Sequence, residues 1–254
     1  MNNLNSRCYY DDPEFDYQDY WRGREYEDLA ERQVLRYFYQ LIGHQKLIVD
    51  VGGGFGRLVN EYQPWVDKAI IIEPAAKILL GAREKANQWK NLSLVQGTAE
   101  NLCLQPNSIN TVQMIRVAHH CQDLALVIKN IYRVLKPHGW LILEFPNKIN
   151  GLMTCRNWLK GNWGFRQDLS SIDRRAIYNQ SDEVIPFINH HPLQVEKWLK
   201  QTGFKMVLCW SVSNFRRWKF LPLGLALKLD QLFWGLAKQI WWGPSIFILA
   251  RKES

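Results

Sequence analysis

The sequence lacks the features that mark secreted, membrane-spanning and metal-binding proteins. Its five cysteines are scattered, odd in number and without a C-x-x-C pair, which argues for reduced thiols and against a disulfide or zinc framework. No stretch reaches about 18 uncharged apolar residues, so we expect no transmembrane helix. The N-terminus has no apolar segment of the kind found in signal peptides. The sequence therefore predicts a cytoplasmic protein without a metal site.

Aromatic and basic side chains are plentiful, and both are concentrated after residue 150. Eight of the 12 tryptophans lie there, and residues 151–254 hold 15 Lys and Arg against 7 Asp and Glu. Residues 1–30 hold 3 bases against 8 acids, and the 254 residues together carry a formal net charge of +8. Such a charge is either a solvated surface or an attraction to an anionic membrane or nucleic acid.

Strands and helices alternate strictly over residues 47–146. This pattern predicts a parallel sheet with right-handed crossovers. The expected core elements are strands at 47–51, 68–73, 92–96, 109–117 and 140–145, with helices at 57–62, 75–88 and 124–135. We divide the chain into four parts: an N-terminal arm and helix (1–46), the core (47–146), an insertion that could cover the substrate (147–191) and a C-terminal part (192–254). The first part is expected to be helical from about residue 19 to 42. The last part is expected to hold a helix at 192–202, strands at 204–212 and 245–250, and an amphipathic insertion at 215–242.

The first core strand leads into a glycine-rich turn, LIVDVGGGFG at Leu47–Gly56. Glycines allow positive φ angles and let the backbone approach a ligand closely. Dinucleotide-binding enzymes need G-x-G-x-x-G, and Arg57 stands where the third glycine would fall after Gly52. The spacing present is D-x-G-x-G-x-G, from Asp50 to Gly56, so an NAD oxidoreductase is disfavoured.

That spacing resembles motif I of the class I S-adenosylmethionine-dependent methyltransferases, and further motifs follow in the order of that family. GTAENL at 97–102 is similar to the adenine-binding loop, with Thr98 where an Asp is usual. IRVAHHCQD at 115–123 resembles the strand-four segment of the type 11 subgroup. VLKPHG at 134–139 resembles its R-V-L-K-P-G-G turn, with His138 replacing one glycine.

The resemblance implies an α/β, Rossmann-like fold with a seven-stranded, mostly parallel sheet, helices on both faces and a helical, aromatic cap. It implies S-adenosyl-L-methionine as cofactor and S-adenosyl-L-homocysteine as product. Glu73 would accept hydrogen bonds from both ribose hydroxyls, and Tyr20 and Arg24 could fold over the cofactor carboxylate. The implied cofactor-binding residues are Asp50, Gly52, Gly53, Gly54, Glu73, Pro74, Thr98, Ala99, Glu100, Arg116, Val117, Tyr20 and Arg24. Arg116 could instead form an ion pair with a loop acid.

Methyl transfer needs a base only where the nucleophile carries a proton of high pKa. His119 and His120 follow the fourth core strand, and either could face the substrate as that base or be a structural histidine. With Cys121 they make a poor metal triplet. The candidates for substrate contacts are His190, His191 and Tyr178.

The 215–242 insertion has leucines on one helical face and Trp, Lys and Arg at both ends, which is typical of helices at a membrane interface. It could equally be a lid or a dimer helix. A lipophilic cap favours a small apolar acceptor such as a quinone, polyprenyl, polyketide or glycolipid intermediate. The alternatives are a nucleic-acid methyltransferase, which the charge supports although no N-P-P-[YF] motif is present, and a non-catalytic binding protein. We expect a monomer or homodimer without a nucleic-acid partner.

Overall fold

The computed structural model describes residues 19–175, 185–218, 220–234 and 242–254. The helices are α1 (Glu25–Ile42), α2 (Val59–Tyr62), α3 (Ala76–Leu80), α4 (Arg83–Gln88), α5 (Leu124–Val134), α6 (Gly151–Leu159), α7 (Pro192–Thr202) and α8 (Leu223–Phe233). The strands are β1 (Gln45–Val51), β2 (Val66–Glu73), β3 (Leu92–Gln96), β4 (Ile109–Met114), β5 (Leu135–Pro146), β6 (Ile172–Asp173), β7 (Ile188–Asn189), β8 (Phe204–Val212) and β9 (Ser245–Lys252).

Seven strands form one sheet in the order β3-β2-β1-β4-β5-β9-β8. The first five of these are parallel, and β9 runs antiparallel to both β5 and β8. The predicted fold class is confirmed. Because β1 lies in the middle of the parallel part, its carboxyl end opens between those of β2 and β4, where ligands bind in sheets of this kind.

Helices cover both faces of the sheet, and each face has its own apolar core. Val127 of α5 and Val195 of α7 pack on one side, whereas Val34 and Phe38 of α1 and Leu227 of α8 pack on the other. Strand β1 serves both cores, since successive side chains of a strand point to opposite faces. This burial on two sides explains why the strand segments are continuously apolar.

Glycine conformation sets two boundaries that differ from the prediction. Helix α1 begins at Glu25 rather than near residue 19, because Gly23 has a φ of 71° and separates it from a 3-10 turn at Asp19–Trp21. The single helix expected at 75–88 is two helices, α3 and α4, which meet at Gly81. A Cβ added to Gly81 would lie 3.0 Å from Cβ of Phe55, so the glycine lets α3 pack against the cofactor turn.

Two core strands also have different lengths from those predicted. Strand β4 ends at Met114 rather than at residue 117, because Arg116 has a φ of 64° that an extended strand does not allow. Strand β5 begins at Leu135 rather than at residue 140, and its register with β4 shifts between Ile109 and Thr111. His138 has a φ of 64° in this stretch, a conformation that favours glycine.

The 147–191 stretch, predicted as an insertion without assigned helices or strands, holds α6, a 3-10 turn at Trp163–Arg166 and the two-stranded antiparallel sheet of β6 and β7. The Asn150 side chain caps α6 by accepting the Met153 N–H. Sequence periodicity missed these elements because each is short. None of the helices in the described part of the chain is long and apolar enough to cross a membrane.

Helix α8 lies within the amphipathic insertion and packs against α1 and β8. The sequence predicted an amphipathic helix within 215–242; α8 ends at Phe233, and residues 235–241 lie outside those that the structure describes. Its buried side chains are Ala226, Leu227 and Asp230, whereas Leu225 and Leu232 of the predicted apolar face are exposed. The carboxylate of Asp230 holds the helix in place by accepting the main-chain N–H groups of residues 213 and 214.

Candidate cofactor and acceptor site

A cleft opens at the carboxyl ends of β1 and β4. The cleft therefore occupies the position predicted for the cofactor. Its lining residues are Asp50, Gly52, Gly53, Gly54, Phe55, Arg57, Leu58, Ile115 and Arg116.

The glycine turn brings its backbone to the surface of this cleft. Gly52 and Gly54 have φ angles of 67° and 57°, which favour glycine over other residues. An added Cβ at Gly52 would lie 2.1 Å from Cγ2 of Val117, and one at Gly53 would lie 2.8 Å from the Asp50 carboxyl carbon. Neither Gly52 nor Gly53 therefore has room for a side chain, because the space beside it is filled by Val117 or Asp50.

Asp50 lies buried beneath the turn, with the side chains of Gln113 and Tyr62 beside its carboxylate. The residue is buried, and its Oδ2 has no hydrogen-bond partner among the described residues. Burial raises the pKa of this carboxyl to about 7, although the Gln113 side chain and the charge of Arg57 act in the opposite direction. An unpaired buried carboxylate fits a cationic group such as an ammonium, which would pair its charge.

Glu73 ends β2 and holds the neighbouring loops. Its Oε2 accepts the N–H of Gly54 at 3.2 Å and its Oε1 accepts the N–H of Ala75 at 3.1 Å. Its main-chain oxygen accepts the N–H of Gly97 at 3.3 Å, so the predicted adenine loop follows directly beside it. Thr98 and Glu100 of that loop are exposed and Ala99 is buried, while the carbonyl of Pro74 accepts the Gln96 amide. The ribose and adenine roles of these residues stay predictions.

Arg116 lines the cleft as predicted, but its charge is already paired. Its main-chain N–H donates to Glu144 at 2.9 Å, and its guanidinium donates to Glu31 of α1 at 2.5 Å. Although burial opposes it, the carboxylates of Glu31 and Glu144 hold the pKa of Arg116 above its usual range. The ion pair was the alternative that the sequence left open for this residue, with the acid on a helix rather than on a loop.

Glu31 is a site residue that sequence reasoning missed. It is fully buried and joins two arginines of the cleft, Arg57 at 2.7 Å and Arg116. The signal was present, because Glu31 precedes Leu35 and Phe38 by one and two helical turns and so lies on the apolar face of α1. A carboxylate on such a face predicts a buried charged partner.

Trp21 is a second missed residue, and it covers the cleft arginines. The Arg57 guanidinium carbon lies 3.7 Å from the centroid of its ring, and that of Arg116 lies 5.6 Å away. The neighbouring Tyr20 and Arg24, predicted to fold over the cofactor, interact with each other: Arg24 donates to the Tyr20 hydroxyl at 3.0 Å and stacks on its ring. Their role towards a ligand stays a prediction.

His190 and His191, the predicted substrate contacts, are buried and hold the fold together. His190 Nε2 lies 3.1 Å from the Ala118 carbonyl and its Nδ1 lies 3.0 Å from the Ser171 hydroxyl. His191 caps α7, since its Nδ1 accepts the Leu193 N–H at 3.2 Å while its Nε2 donates to a carbonyl at 3.0 Å. Both ring nitrogens are engaged in each case, so both histidines have a structural role, and their contact with a substrate stays a prediction. The third candidate, Tyr178, lies outside the described residues.

His119 and His120 differ from each other in the hydrogen bonds of their rings. The Nδ1 of His120 lies 2.9 Å from the Pro186 carbonyl. His119 is half-buried against His120 and Phe187, at ring centroid distances of 3.9 Å and 4.8 Å, and forms no hydrogen bond within the described ranges. Burial holds the pKa of His119 well below its usual value, so the ring is neutral at neutral pH and is a weaker base than a solvent-exposed histidine. The structure describes no cluster of metal-ligating side chains.

Comparison with known proteins agrees with this geometry. Residues 49–143 match the model of a methyltransferase domain. These residues form a methyltransferase domain, and the chain is similar to the class I S-adenosylmethionine-dependent methyltransferases. The uncharacterized methyltransferase YcgJ of Bacillus subtilis is 24% identical over 170 residues, which are 61% of this chain and 65% of that protein. The match thus spans less than two thirds of this curated relative.

Solved structures of methyltransferases share the fold over almost the whole chain. A Thermotoga maritima protein described as a possible histamine N-methyltransferase has a TM-score of 0.61 and 16% identity, covering 96% of this chain and 98% of its own. An S-adenosylmethionine-dependent methyltransferase of Mesorhizobium loti has a TM-score of 0.59 and 16% identity, covering 88% and 98%. At these identities the likeness concerns the fold alone.

The matched methyltransferase domain and the fold imply S-adenosylmethionine as the cofactor. The residues present fit such a group. The unpartnered oxygen of Asp50 suits its ammonium, and the Gly52–Gly54 backbone leaves space for close approach. Glu73 stands beside this backbone at the end of β2, where a carboxylate suits hydroxyl groups.

Proposed function

We propose that the protein transfers a methyl group from S-adenosylmethionine to a small, apolar acceptor. The proposal rests on the position of two parts of the site, which lie side by side at the carboxyl ends of neighbouring strands. Asp50 and the glycine turn form the donor half at the end of β1, and His119 follows the end of β4, next to it in the sheet. When bound, the cofactor supplies a methyl group made electrophilic by its sulfonium.

His119 is the residue we assign as proton acceptor. Its neutral ring can take the proton of an acceptor hydroxyl or amine as methylation proceeds. The exposed aromatic ring of Phe187 lies against it, which supports an apolar acceptor. Asp50 binds and orients the donor, and Trp21 helps to exclude water from the arginines beside it. Orientation of the two reactants is the larger part of catalysis for a transfer of this type.

A labelled-methyl assay tests this function. Purified protein is first titrated with S-adenosylmethionine by calorimetry, and then incubated with the methyl-labelled cofactor and either a lipid extract, a panel of quinols and phenols, or total RNA. We expect label in the organic phase with the apolar acceptors. His119→Ala should abolish most of this transfer, whereas His44→Ala is the matched control, since His44 is exposed just before β1 at the opposite edge of the sheet.

The outcomes separate the alternatives. Label in RNA would favour a nucleic-acid methyltransferase, to which the +8 charge would then be relevant. Tight cofactor binding without transfer to any acceptor would favour a non-catalytic binding protein. Failure to bind S-adenosylmethionine would refute the proposal at its first step.

A further inference from the structure

We propose that the methyltransferase docks on the surface of an anionic lipid bilayer, with the cofactor edge of the sheet facing the lipid. This inference rests on the proposed function, because an apolar acceptor is most concentrated in a membrane. The docking surface, here called the rim, has two parts. The first is Trp158, Leu159 and Trp163, and the second is Trp218, Phe220 and Leu232.

The rim exposes large apolar side chains to an unusual degree. Leu159 is 89% and Trp163 is 69% exposed, while Phe220 is 78% and Leu232 is 73% exposed. Single exposed apolar residues are ordinary, but grouped ones mark an interaction surface. The sequence drew attention only to the second part of the rim, since α6 is too short to show its periodicity.

Both parts of the rim leave the sheet at the edge that carries the cleft. Pro146, the last residue of β5, pairs with Ser245 of β9, which also pairs with Val212 of β8. The chain between β8 and β9 therefore begins and ends beside the point where α6 departs. The segments that carry the two parts also meet at their bases, because the Gly151 N–H donates to the Trp242 carbonyl at 2.9 Å and the Trp242 ring covers Gly151.

The exposed rings are held in fixed positions by their neighbours. Trp158 and Trp163 stack at a centroid distance of 6.2 Å, and Trp218 and Phe220 stack at 5.8 Å. Buried Asp230 anchors α8 below the second part. Since the rings are already ordered, insertion into an interface costs little conformational entropy.

The charge around the rim selects the partner. Residues 151–167 hold no acid, and the acid of residues 213–234 is Asp230, which is buried. Within residues 151–167 and the described part of 213–234 the exposed charges are bases, including Arg156, Lys160, Arg217 and Lys228. Bases interleaved with Trp, Phe and Leu match the headgroup region of a bilayer, and each base near an anionic surface strengthens binding by about fivefold.

Vesicle sedimentation tests the rim directly. Full-length protein is mixed with vesicles of phosphatidylcholine alone or of phosphatidylcholine with phosphatidylglycerol, and the fraction pelleted is measured. We expect strong binding to the anionic vesicles, weakened by salt. Two double variants, Leu159→Ser/Trp163→Ser and Phe220→Ser/Leu232→Ser, should each lower the partition constant by at least about tenfold, since each removes two inserted side chains.

Leu41→Ser/Val207→Ser is the matched control and should bind as the wild type does. Leu41 and Val207 are 49% and 39% exposed, and Leu41 lies at the opposite edge of the sheet, at the end of α1. The proposal is overturned if the wild-type protein does not bind anionic vesicles, or if the control variant loses as much vesicle binding as the rim variants do. It is also overturned if size-exclusion chromatography shows a dimer that the rim variants convert to a monomer, because a second copy would then be the occupant.

Calorimetry with S-adenosylmethionine on the same variants keeps this proposal separate from the function. Rim variants should bind the cofactor as the wild type does, since none of the substituted residues lines the cleft. A wild-type protein that binds the cofactor but not the vesicles would refute the docking proposal alone. Intact vesicle binding without cofactor binding would refute the proposed function instead.

Discussion

Replacing Glu31 with Gln should destabilise the fold and the cofactor cleft together. The substitution keeps the volume of the side chain and removes its charge. Arg57 and Arg116 then lose a shared carboxylate while their side chains remain only 11% and 16% exposed. Arg57 retains its pair with Asp28, whereas the guanidinium of Arg116 keeps no other carboxylate partner among the described ion pairs.

The expected cost follows from the burial of the pair. Removing one partner of a buried ion pair typically costs about 3–5 kcal/mol, because it leaves an uncompensated charge. Retention of Asp28 by Arg57 favours the lower figure, about 3 kcal/mol. For a chain of this length that corresponds to a fall in melting temperature of roughly 6–12 °C.

Thermal unfolding monitored by circular dichroism measures this change. Glu84→Gln is the control, since Glu84 is an exposed acid whose amide partner Gln88 can bond equally to Gln. Because both arginines line the cleft, the affinity for S-adenosylmethionine should also fall in Glu31→Gln and remain unchanged in the control. A melting temperature within about 2 °C of the control would show that the bridge contributes less than about 1 kcal/mol and would refute the reasoning.

Three further predictions concern the site itself. Affinity for S-adenosylmethionine, measured by calorimetry from about pH 6 to about pH 8, should rise with pH and level off once Asp50 is ionised near pH 7, because the ligand's ammonium binds the carboxylate form. Asp50→Asn should remove this pH dependence. Glu73→Ala should weaken cofactor binding by about 1–3 kcal/mol, and unchanged affinity would exclude Glu73 from the site. His119→Ala should lower turnover by about 10²-fold or more without changing cofactor affinity. His191→Ala should instead lower the free energy of unfolding by about 1 kcal/mol, because the α7 cap is lost. Equal effects of the two variants on turnover would contradict the assignment of His119.

The donor half of the site could be predicted from the sequence because its determinants are local. Strand β1, the positive-φ glycines and Asp50 lie within a few residues of one another, so spacing alone specifies the turn. Glu31 could not be assigned in the same way. Its partners Arg57 and Arg116 are 26 and 85 residues away, and only the fold brings three segments together around one carboxylate.

The histidines show where sequence reasoning ends. The pairs 119–120 and 190–191 look alike as sequence, and each could contain a base. Their hydrogen bonds distinguish them, since both nitrogens of His190 and of His191 are engaged by groups from other segments. The face that α8 buries was hidden for a similar reason: Asp230 turns inwards because the N–H groups at the end of β8 require an acceptor.

The attachment of α6 and α8 to a single edge of the sheet has an evolutionary consequence. Both segments are connected to strands whose pairing, Pro146 with Ser245 and Ser245 with Val212, closes beneath them. Neither segment contributes a strand to the seven-stranded sheet, so we expect a longer or shorter connection there to leave the strand pairing intact, and with it the glycine turn four strands away from β8. New surfaces could then be acquired by insertion at one border without a change in the turn at β1.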